Sequence, residues 1–440
     1  MLCGIVIGIM LIPQGMAYGL LAGLPPIFGL YTSMWTLVAY MMTGTCRYLG
    51  PGVNAPISLL VENAVDTALG NTYGCGDVVA GMRGPVVYGG DGTLPADAAI
   101  QDCQEFSQAS LLICLMVGSI YIGLWFLNAG FVTALMPQSA LDGFTTGASA
   151  IIVTSNMKFF LGLTNLTRGQ YGGSSLIYTW VGIFWNLFEI NPTSLIIGLI
   201  SLFLLDRIKW FNGKYKKRMW MPIPEQLVVL VISTTVVGTV RMDQSPYGVD
   251  VVGDVPSGLY VPSAPSLDNI GVLIPPSITI ALVTSILTIN VAKAVTPECS
   301  ANQELLSLAA QSIVGGFTGA CVPSGSFSRT ALIREMDAET QLHNLVSCIL
   351  VGIVIQWLTG PLRMLPKSVL ASIIFMALKN MVKLVPFTGR RGVRDVDDPT
   401  KWKVEPIPSM YRVSKVRCAV KCLNEALLLR KWLSTSYVNH

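Results

Sequence analysis

Residues 321–330 read CVPSGSFSRT and place Gly, Pro, three Ser and an Arg where the flanking sequence has the character of a membrane span. A second interruption, residues 50–58 with the sequence GPGVNAPIS, holds two Gly and two Pro within seven residues and precedes a short apolar run. Irregular backbone in hydrocarbon leaves polar groups unsatisfied, so it is tolerated only inside protein or beside a wet cavity. A matched pair of such interruptions indicates the central site of a membrane transporter.

The composition of the whole chain agrees with a membrane protein. Of its 440 residues, 52% are hydrophobic and 12% are charged, with 42 Gly and 25 Pro, and the mean hydropathy is +0.58. Soluble domains carry about 25% charged residues, and Gly and Pro are more frequent in membrane helices than in soluble ones. The net charge of +4 is too small to indicate nucleic-acid binding. With two His and no Cys-x-x-Cys pattern, we expect no metal and no cofactor.

Apolar runs predict twelve spans, two of them short, because a spanning helix needs about 20 apolar residues. The predicted spans are residues 3–22, 27–44, 54–68, 108–127, 142–162, 192–208, 224–240, 272–293, 301–319, 325–337, 341–360 and 366–383. Residues 171–190 are also apolar, but a full span there would move the basic loop that follows to the outer side. We therefore predict an interfacial or re-entrant helix for them.

Basic residues in short loops predict the orientation of the chain. The loop after the sixth span holds six Lys and Arg from Arg207 to Arg218, whereas loops 69–107 and 241–271 are acidic. This distribution places both chain ends in the cytoplasm.

The predicted outer side offers two modification sites. Cys75 and Cys103 share the outer loop, where they either form a disulfide or remain two free thiols. Asn165, with Thr167 two residues later, is a sequon for N-glycosylation.

The spacing of the broken segments indicates an internal repeat. Gln14 lies 40 residues before Asn54, and Leu287 lies 40 residues before Phe327, so one offset of 273 residues relates both pairs. Because the first unit has an odd number of segments, seven, the second unit would enter the membrane in the opposite orientation. Inverted repeats of this kind are typical of secondary transporters.

Two half-helices that meet N-terminus to N-terminus would direct unpaired N–H groups and partial positive charge at one point. Such a point favours an anion. Ser326, Ser328 and Thr330 add hydroxyl donors, and Arg329 adds a full positive charge. A charge at membrane depth is expensive and therefore indicates function.

Three alternatives stay open at these positions. Arg329 either serves the site, reaches the cytoplasmic interface or pairs with Glu335. Gln14 either donates its amide to the ligand or makes a purely structural hydrogen bond between helices. Tyr18, one turn beyond Gln14, either walls the site or packs in the core.

Eight short motifs follow one another along about residues 1–385. They are residues 12–18 (IPQGMAY), 25–33 (PPIFGLYTS), 44–47 (GTCR), 143–148 (GFTTGA), 222–224 (PIP), 302–305 (NQEL), 326–329 (SFSR) and 365–368 (LPKS). In these motifs and their order the chain resembles the sulfate permease family, the solute carrier 26 anion transporters. It departs from the family at Phe28, where Tyr is usual, and at Cys46, where Ser is usual.

The resemblance implies an all-α polytopic membrane protein of seven plus seven inverted segments, divided into a core and a gate domain. It also implies an anion held between the third and tenth segments and carried by an elevator-like movement of core against gate. The family's substrate-binding positions correspond to Gln14, Tyr18, Val53, Asn54, Ser326, Phe327, Ser328 and Arg329.

Two departures bear on selectivity and coupling. Val53 and Asn54 replace the family's usual Pro followed by an aromatic or small residue, which leaves anion selectivity open. Some members carry a Glu linked to proton coupling at the position of Leu287. Its absence favours exchange or uncoupled flux over proton symport.

Residues 1–385 are predicted to form the membrane domain and residues 386–440 a basic cytoplasmic tail, with a short amphipathic helix at about 423–432. Family members continue with two more spans and a STAS domain. We therefore expect an incomplete second repeat, produced by truncation after about the twelfth span.

Two functions follow from the sequence. The leading hypothesis is a multi-pass plasma-membrane protein that exchanges sulfate, chloride, bicarbonate or related inorganic or small organic anions across the lipid bilayer. The alternative is a transport-incompetent protein that acts by association with full-length relatives. An enzyme is disfavoured because Glu62, Asp142 and Glu304 lie in different predicted spans. The sequence leaves homodimer formation open.

Overall fold

The structure is a computed structural model that describes residues 1–69, 87–88, 92–93, 96–130, 138–163, 176–215, 223–244, 247–253, 255–267, 269–296, 298–381, 390–394 and 402–406. The chain divides into two compact units. The larger unit comprises Met1–Thr133 and Ile152–Ala377, and the smaller comprises Ala134–Ile151 and Leu378–His440. The broken segments and the helices around them belong to the larger unit.

The described residues form fourteen α-helices. They are α1 (Leu2–Leu21), α2 (Pro26–Thr43), α3 (Ala55–Ala68), α4 (Ala96–Phe126), α5 (Gln138–Leu161), α6 (Leu176–Trp185), α7 (Pro192–Tyr215), α8 (Glu225–Val240), α9 (Ile270–Val295), α10 (Ala301–Phe317), α11 (Phe327–Glu335), α12 (Leu342–Trp357), α13 (Thr359–Leu362) and α14 (Lys367–Met381). A 3-10 turn follows α6 at Leu187–Glu189.

Six short strands complete the described elements, and they form three separate antiparallel pairs. The strands are β1 (Pro51–Gly52), β2 (Val87–Tyr88), β3 (Gly92–Thr93), β4 (Ser324–Gly325), β5 (Arg390–Arg394) and β6 (Trp402–Pro406). Strand β1 pairs with β4 across more than half of the chain, whereas β2 pairs with β3 and β5 with β6 locally.

Each of the twelve predicted spans coincides with a helix, and the predicted interfacial segment coincides with α6 and its 3-10 turn. The largest boundary difference is at α4, which begins twelve residues before the predicted start. Residues 96–107 contain no Gly or Pro and include three Ala and two Gln, so they extend the helix as polar turns.

By length and composition, three helices in the described part of the chain are able to cross a membrane. They are Leu2–Leu21, Cys103–Phe126 and Ile270–Val295, with two shorter apolar helices at Glu225–Val240 and Leu342–Trp357. The others are shorter or interrupted by polar residues. Helices buried against other helices need no continuous apolar surface, which is why hydropathy alone marks so few of them.

Strands β1 and β4 support the predicted repeat. The offset of 273 residues places Pro51–Gly52 on Ser324–Gly325, which are the bounds of the two strands. Their register pairs Pro51 with Gly325 and Gly52 with Ser324, so the same offset converts one pair into the other. The two strands are therefore related as an inverted repeat requires, by a local two-fold axis between them.

Helices α1 and α2 cross closely because two glycines meet at the contact. A Cβ on Gly29 would overlap the carbonyl oxygen of Gly15, and a Cβ on Gly15 would lie 3.0 Å from the carbonyl oxygen of Gly29. Small residues allow membrane helices to approach in this way. The contact fixes the middle of α1, where Gln14 is located.

Three predictions fall partly or wholly outside the described residues. Cys103 is disulfide-bonded, but Cys75 is not among the described residues, so their pairing stays a prediction. Asn165 and the proposed helix at 423–432 also lie outside them. Within the tail, the hairpin of β5 and β6 was not predicted from the sequence.

The crossing of α1 and α2 generates a stability prediction. Gly29→Ala should lower the stability of the folded protein by about 2 kcal/mol, because an added methyl in a packed contact forces the backbones apart. The measurement is thermal unfolding in detergent followed by tryptophan fluorescence. Gly123→Ala is the control, since a Cβ at that position on α4 meets nothing within 4 Å. Equal melting temperatures for the two variants would contradict the prediction.

Candidate binding site between two half-helices

The two broken segments meet where β1 leads into α3 and β4 leads into α11. Besides the strand pairing, the Ser326 amide donates to the Gly50 carbonyl over 3.2 Å, and the Gly50 amide donates to the Thr330 hydroxyl over 3.1 Å. These bonds satisfy the irregular backbone from within the protein, as membrane depth requires. They also bring the N-termini of α3 and α11 side by side.

Neither half-helix has a side-chain cap at its N-terminus, although Asn54 and Ser326 are both residue types that normally cap. Asn54 instead donates its side-chain amide to the Gly325 carbonyl over 3.2 Å. The Ser326 hydroxyl lies 3.2 Å from the Ser328 hydroxyl. By contrast, Ser300 caps α10 and accepts from the Gln303 amide. Both half-helices therefore meet at the site with N-termini that no side chain caps.

Helix α11 presents more backbone donors than α3. The amides of Phe327, Ser328 and Arg329 occupy its first turn, where no intrahelical acceptor exists. In α3, Pro56 has no N–H, and the Ile57 amide is already bonded to the Asn54 carbonyl. An anion at this point would thus receive most of its backbone hydrogen bonds from α11.

Arg329 is buried in the site, with 1% of its surface exposed. Its guanidinium donates to the Gly50 carbonyl over 3.3 Å, to the Gln14 side-chain oxygen over 3.2 Å and to the Val53 carbonyl over 3.1 Å. These acceptors are neutral, so they hold the guanidinium without cancelling its charge. The alternatives in which Arg329 reaches the interface or pairs with Glu335 are wrong.

Gln14 is fixed with its amide nitrogen free. Its side-chain oxygen accepts from Arg329, whereas its Nε2 is buried and has no hydrogen-bond partner. A buried unpaired donor costs about 1–3 kcal/mol. Gln14 therefore makes the structural bond that the sequence left open and also retains a donor for a ligand.

The remaining predicted residues contribute in different ways. Val53 is buried and serves through its carbonyl. Tyr18 is buried and interacts electrostatically with Arg329, which places it beside the site. The side chain of Phe327 is 45% exposed, so its contribution to the meeting point is its backbone amide.

Four supporting residues were not among the predicted substrate-binding positions. Gly50 and Thr330 link the segments as described above. Gly52 has a φ of +141° and lies against the Arg329 guanidinium, a backbone conformation that favours glycine. Thr288 on α9 accepts from the Gly325 amide over 3.0 Å. Its position next to Leu287, the repeat partner of Gln14, is the signal that could have identified it.

The arrangement is suited to holding an anion without covalent chemistry. It combines helix N-termini, hydroxyl groups, an amide donor and one guanidinium, and the burial of Gln14 and Arg329 strengthens their electrostatic attraction for an anion. Within the described ranges, no group of three or more His, Cys, Asp and Glu is placed to hold a metal ion.

Known proteins resemble this chain over most of its length. Residues 1–394 match the sulfate permease family. Prestin of Danio rerio is 30% identical over 422 residues, covering 95% of this chain and 52% of the relative. Sulfate anion transporter 1 of Mus musculus is 30% identical over 438 residues, covering 97% of this chain and 60% of the relative. The chain thus spans about half to three-fifths of the length of these proteins.

Solved structures give the same result. The murine solute carrier 26 family member A9 anion transporter, in its inward-facing state, has a TM-score of 0.78 at 28% identity, over 88% of this chain and 60% of that chain. The transmembrane domain of the cyanobacterial bicarbonate transporter BicA has a TM-score of 0.67 at 17% identity, over 95% and 94%, which shows the fold alone. The predicted all-α membrane transporter fold is confirmed, and the relatives are transporters rather than enzymes.

The bond between Gly50 and Thr330 can be tested without changing side-chain shape. Thr330→Val should destabilise the protein by about 1–3 kcal/mol, because it leaves the buried Gly50 N–H without an acceptor. Thermal unfolding in detergent measures the change. Thr235→Val is the matched control, since the Thr235 hydroxyl is exposed and bonds only within α8. A control variant as unstable as Thr330→Val would refute this role of Thr330.

Proposed function

The chain belongs to the sulfate permease family, and we propose that it transports inorganic or small organic anions, such as sulfate, chloride or bicarbonate, through the site between α3 and α11. The names of its relatives support this class of substrate, since they include a sulfate anion transporter and an anion transporter.

The observation that carries the proposal is the pair of uncapped half-helix N-termini beside Arg329. Residues able to cap these ends bond elsewhere, and Gln14 has a buried donor with no partner. A bound anion would satisfy all of these groups at once. The site is built from donors, which explains why it would reject cations.

Movement and coupling belong to the same proposal. We infer alternating access by an elevator-like displacement of the core, which carries the paired half-helices, relative to the gate helices. Leu287 on α9 is apolar and buried, which favours anion exchange or uncoupled flux over proton symport.

The cellular setting follows from the family and the sequence. We propose a multi-pass protein of the plasma membrane, in contact with lipid, with both chain ends in the cytoplasm and N-glycosylation at Asn165. A homodimer is the proposed assembly. The alternative function, association with full-length relatives without transport, is one outcome of the first experiment below.

Uptake of radiolabelled sulfate and chloride into proteoliposomes tests the proposal. The parent protein should exceed empty vesicles, and Arg329→Gln should lower uptake at least about tenfold, because loss of a charge-assisted hydrogen bond costs about 1.5–3 kcal/mol. Ser328→Ala should lower it less, since a neutral hydroxyl donor is weaker. Arg334→Gln is the control, because Arg334 lies on the same helix but is exposed.

The outcomes separate the hypotheses. Parent uptake equal to that of empty vesicles would refute transport and favour the associating protein. Uptake by the parent that is unchanged in Arg329→Gln would remove Arg329 from the anion site while leaving transport intact.

A carboxylate at the N-terminus of α11 should compete with the transported anion. In Ser326→Asp, the new side chain caps the helix and repels anions, so the KM for chloride should rise at least about tenfold while thermal stability is preserved.

The matched control is Ser300→Asp, which places the same change at the N-cap of α10, where a side-chain cap already exists. Its KM should stay within about twofold of the parent value. Equal KM values for Ser326→Asp and the parent would show that the uncapped end of α11 does not bind the anion.

A further inference from the structure

A second polar cluster lies where the segment between α2 and β1 meets the segment between α9 and α10. Its centre is Glu304, which is fully buried in the first turn of α10. One carboxylate oxygen of Glu304 accepts from the Thr45 amide over 3.0 Å, from the Thr45 hydroxyl over 2.7 Å and from the Cys46 amide over 3.1 Å. Glu304 thus fixes the backbone of the segment that leads into β1.

Two thiols meet in this cluster. Cys46 is fully buried and Cys299 is 9% exposed. The Cys299 sulfur lies 3.4 Å from the hydroxyl of Thr45, the residue before Cys46, and the Cys299 amide donates to the Thr296 carbonyl over 3.1 Å. The Cys46 thiol donates to the Thr296 hydroxyl over 3.3 Å, and the Cys299 thiol donates to Glu304 over 3.4 Å. Two cysteines far apart in sequence are thereby fixed around the same small group of residues, Thr45, Thr296 and Glu304.

The two thiols differ in acidity. The neighbouring Cys299 thiol and the hydrogen bond to Thr296 lower the pKa of Cys46 to about 6, whereas the neighbouring Cys46 thiol and burial raise the pKa of Cys299. The thiolate is the reactive form of cysteine. In the reaction proposed below, we therefore assign the first attack to Cys46 and the second to Cys299.

We propose that Cys46 and Cys299 form a redox modification site at which a peroxide converts the two thiols into an intramolecular disulfide. The predicted orientation places both segments on the cytoplasmic side, where thiols are ordinarily reduced. The resting protein then carries the free pair, and oxidation links the start of α10 to the segment before β1.

The chemistry balances with peroxide as the oxidant. The Cys46 thiolate attacks one peroxide oxygen and the O–O bond breaks, so the sulfur loses two electrons and keeps one OH group as a sulfenic acid. The other oxygen takes up the electron pair and leaves as hydroxide, which becomes water with the proton that the Cys46 thiol released. The Cys299 sulfur then attacks the Cys46 sulfur and displaces hydroxide, while its proton passes to the Glu304 carboxylate and on to that hydroxide. Two thiols and one hydrogen peroxide yield one disulfide and two waters.

The experiment treats the purified, reduced protein with hydrogen peroxide, blocks remaining thiols with a maleimide and maps peptides without reduction by mass spectrometry. A peptide linking Cys46 to Cys299 should appear, and thiol reagents should reverse it. Recovery of both cysteines as maleimide adducts, or as separate sulfinic acids, would overturn the proposal.

Two variants test whether the pairing is specific to Cys46 and Cys299. Cys46→Ser, which introduces the residue usual in the family, should abolish the linked peptide and leave Cys299 free for the maleimide. Cys348→Ser should leave the linked peptide unchanged, because Cys348 is a free, half-buried thiol on α12. Loss of the linked peptide in both variants would show that the pairing is not specific. None of these readouts depends on anion transport.

Discussion

The pairing of β1 with β4 is the interaction on which the remaining structure of the site depends. Two helices that stop halfway across a membrane expose backbone groups that lipid cannot satisfy. Here each broken segment supplies the partners of the other, through two residue pairs of antiparallel ladder and through Gly50, which accepts from both Ser326 and Arg329. Without this mutual satisfaction, neither half-helix would be stable in its position.

The same contacts explain why the site is held in place and yet contains hydrogen-bond donors without partners. The side chains of Arg329 and Asn54 donate hydrogen bonds to carbonyls of the broken segments, which holds the backbone in place. That arrangement leaves the first-turn amides of α11 and Nε2 of Gln14 without partners. Unsatisfied donors at fixed positions are what a binding site for an anion requires, since little reorganisation accompanies binding.

Much of this could be predicted from the sequence, and the reasons are physical. Apolar runs located the twelve helices that coincide with the predicted spans, because hydrocarbon imposes length and composition on a helix that crosses it. Gly, Pro and Ser within residues 321–330 identified the break. The sequence did not reveal that Arg329 bonds to Gly50, Val53 and Gln14, because those partners lie about 280 or more residues away and two of them are backbone carbonyls. The role of Thr330 was missed because its partner, the Gly50 amide, is 280 residues away, and a hydroxyl in a membrane span usually bonds within its own helix.

Pro56 in α3 has a consequence for the symmetry of transport. The offset of 273 residues that superimposes β1 on β4 also places Pro56 on Arg329, so the second repeat carries a positive charge at the position where the first carries a proline, which has no amide hydrogen. The backbones of the two segments are related by two-fold symmetry, but only one of the two segments carries this charge. If the proposed anion site is correct, the anion lies off the axis and closer to α11. We then expect the second repeat to supply the attraction and the first to shape the space that selects the anion.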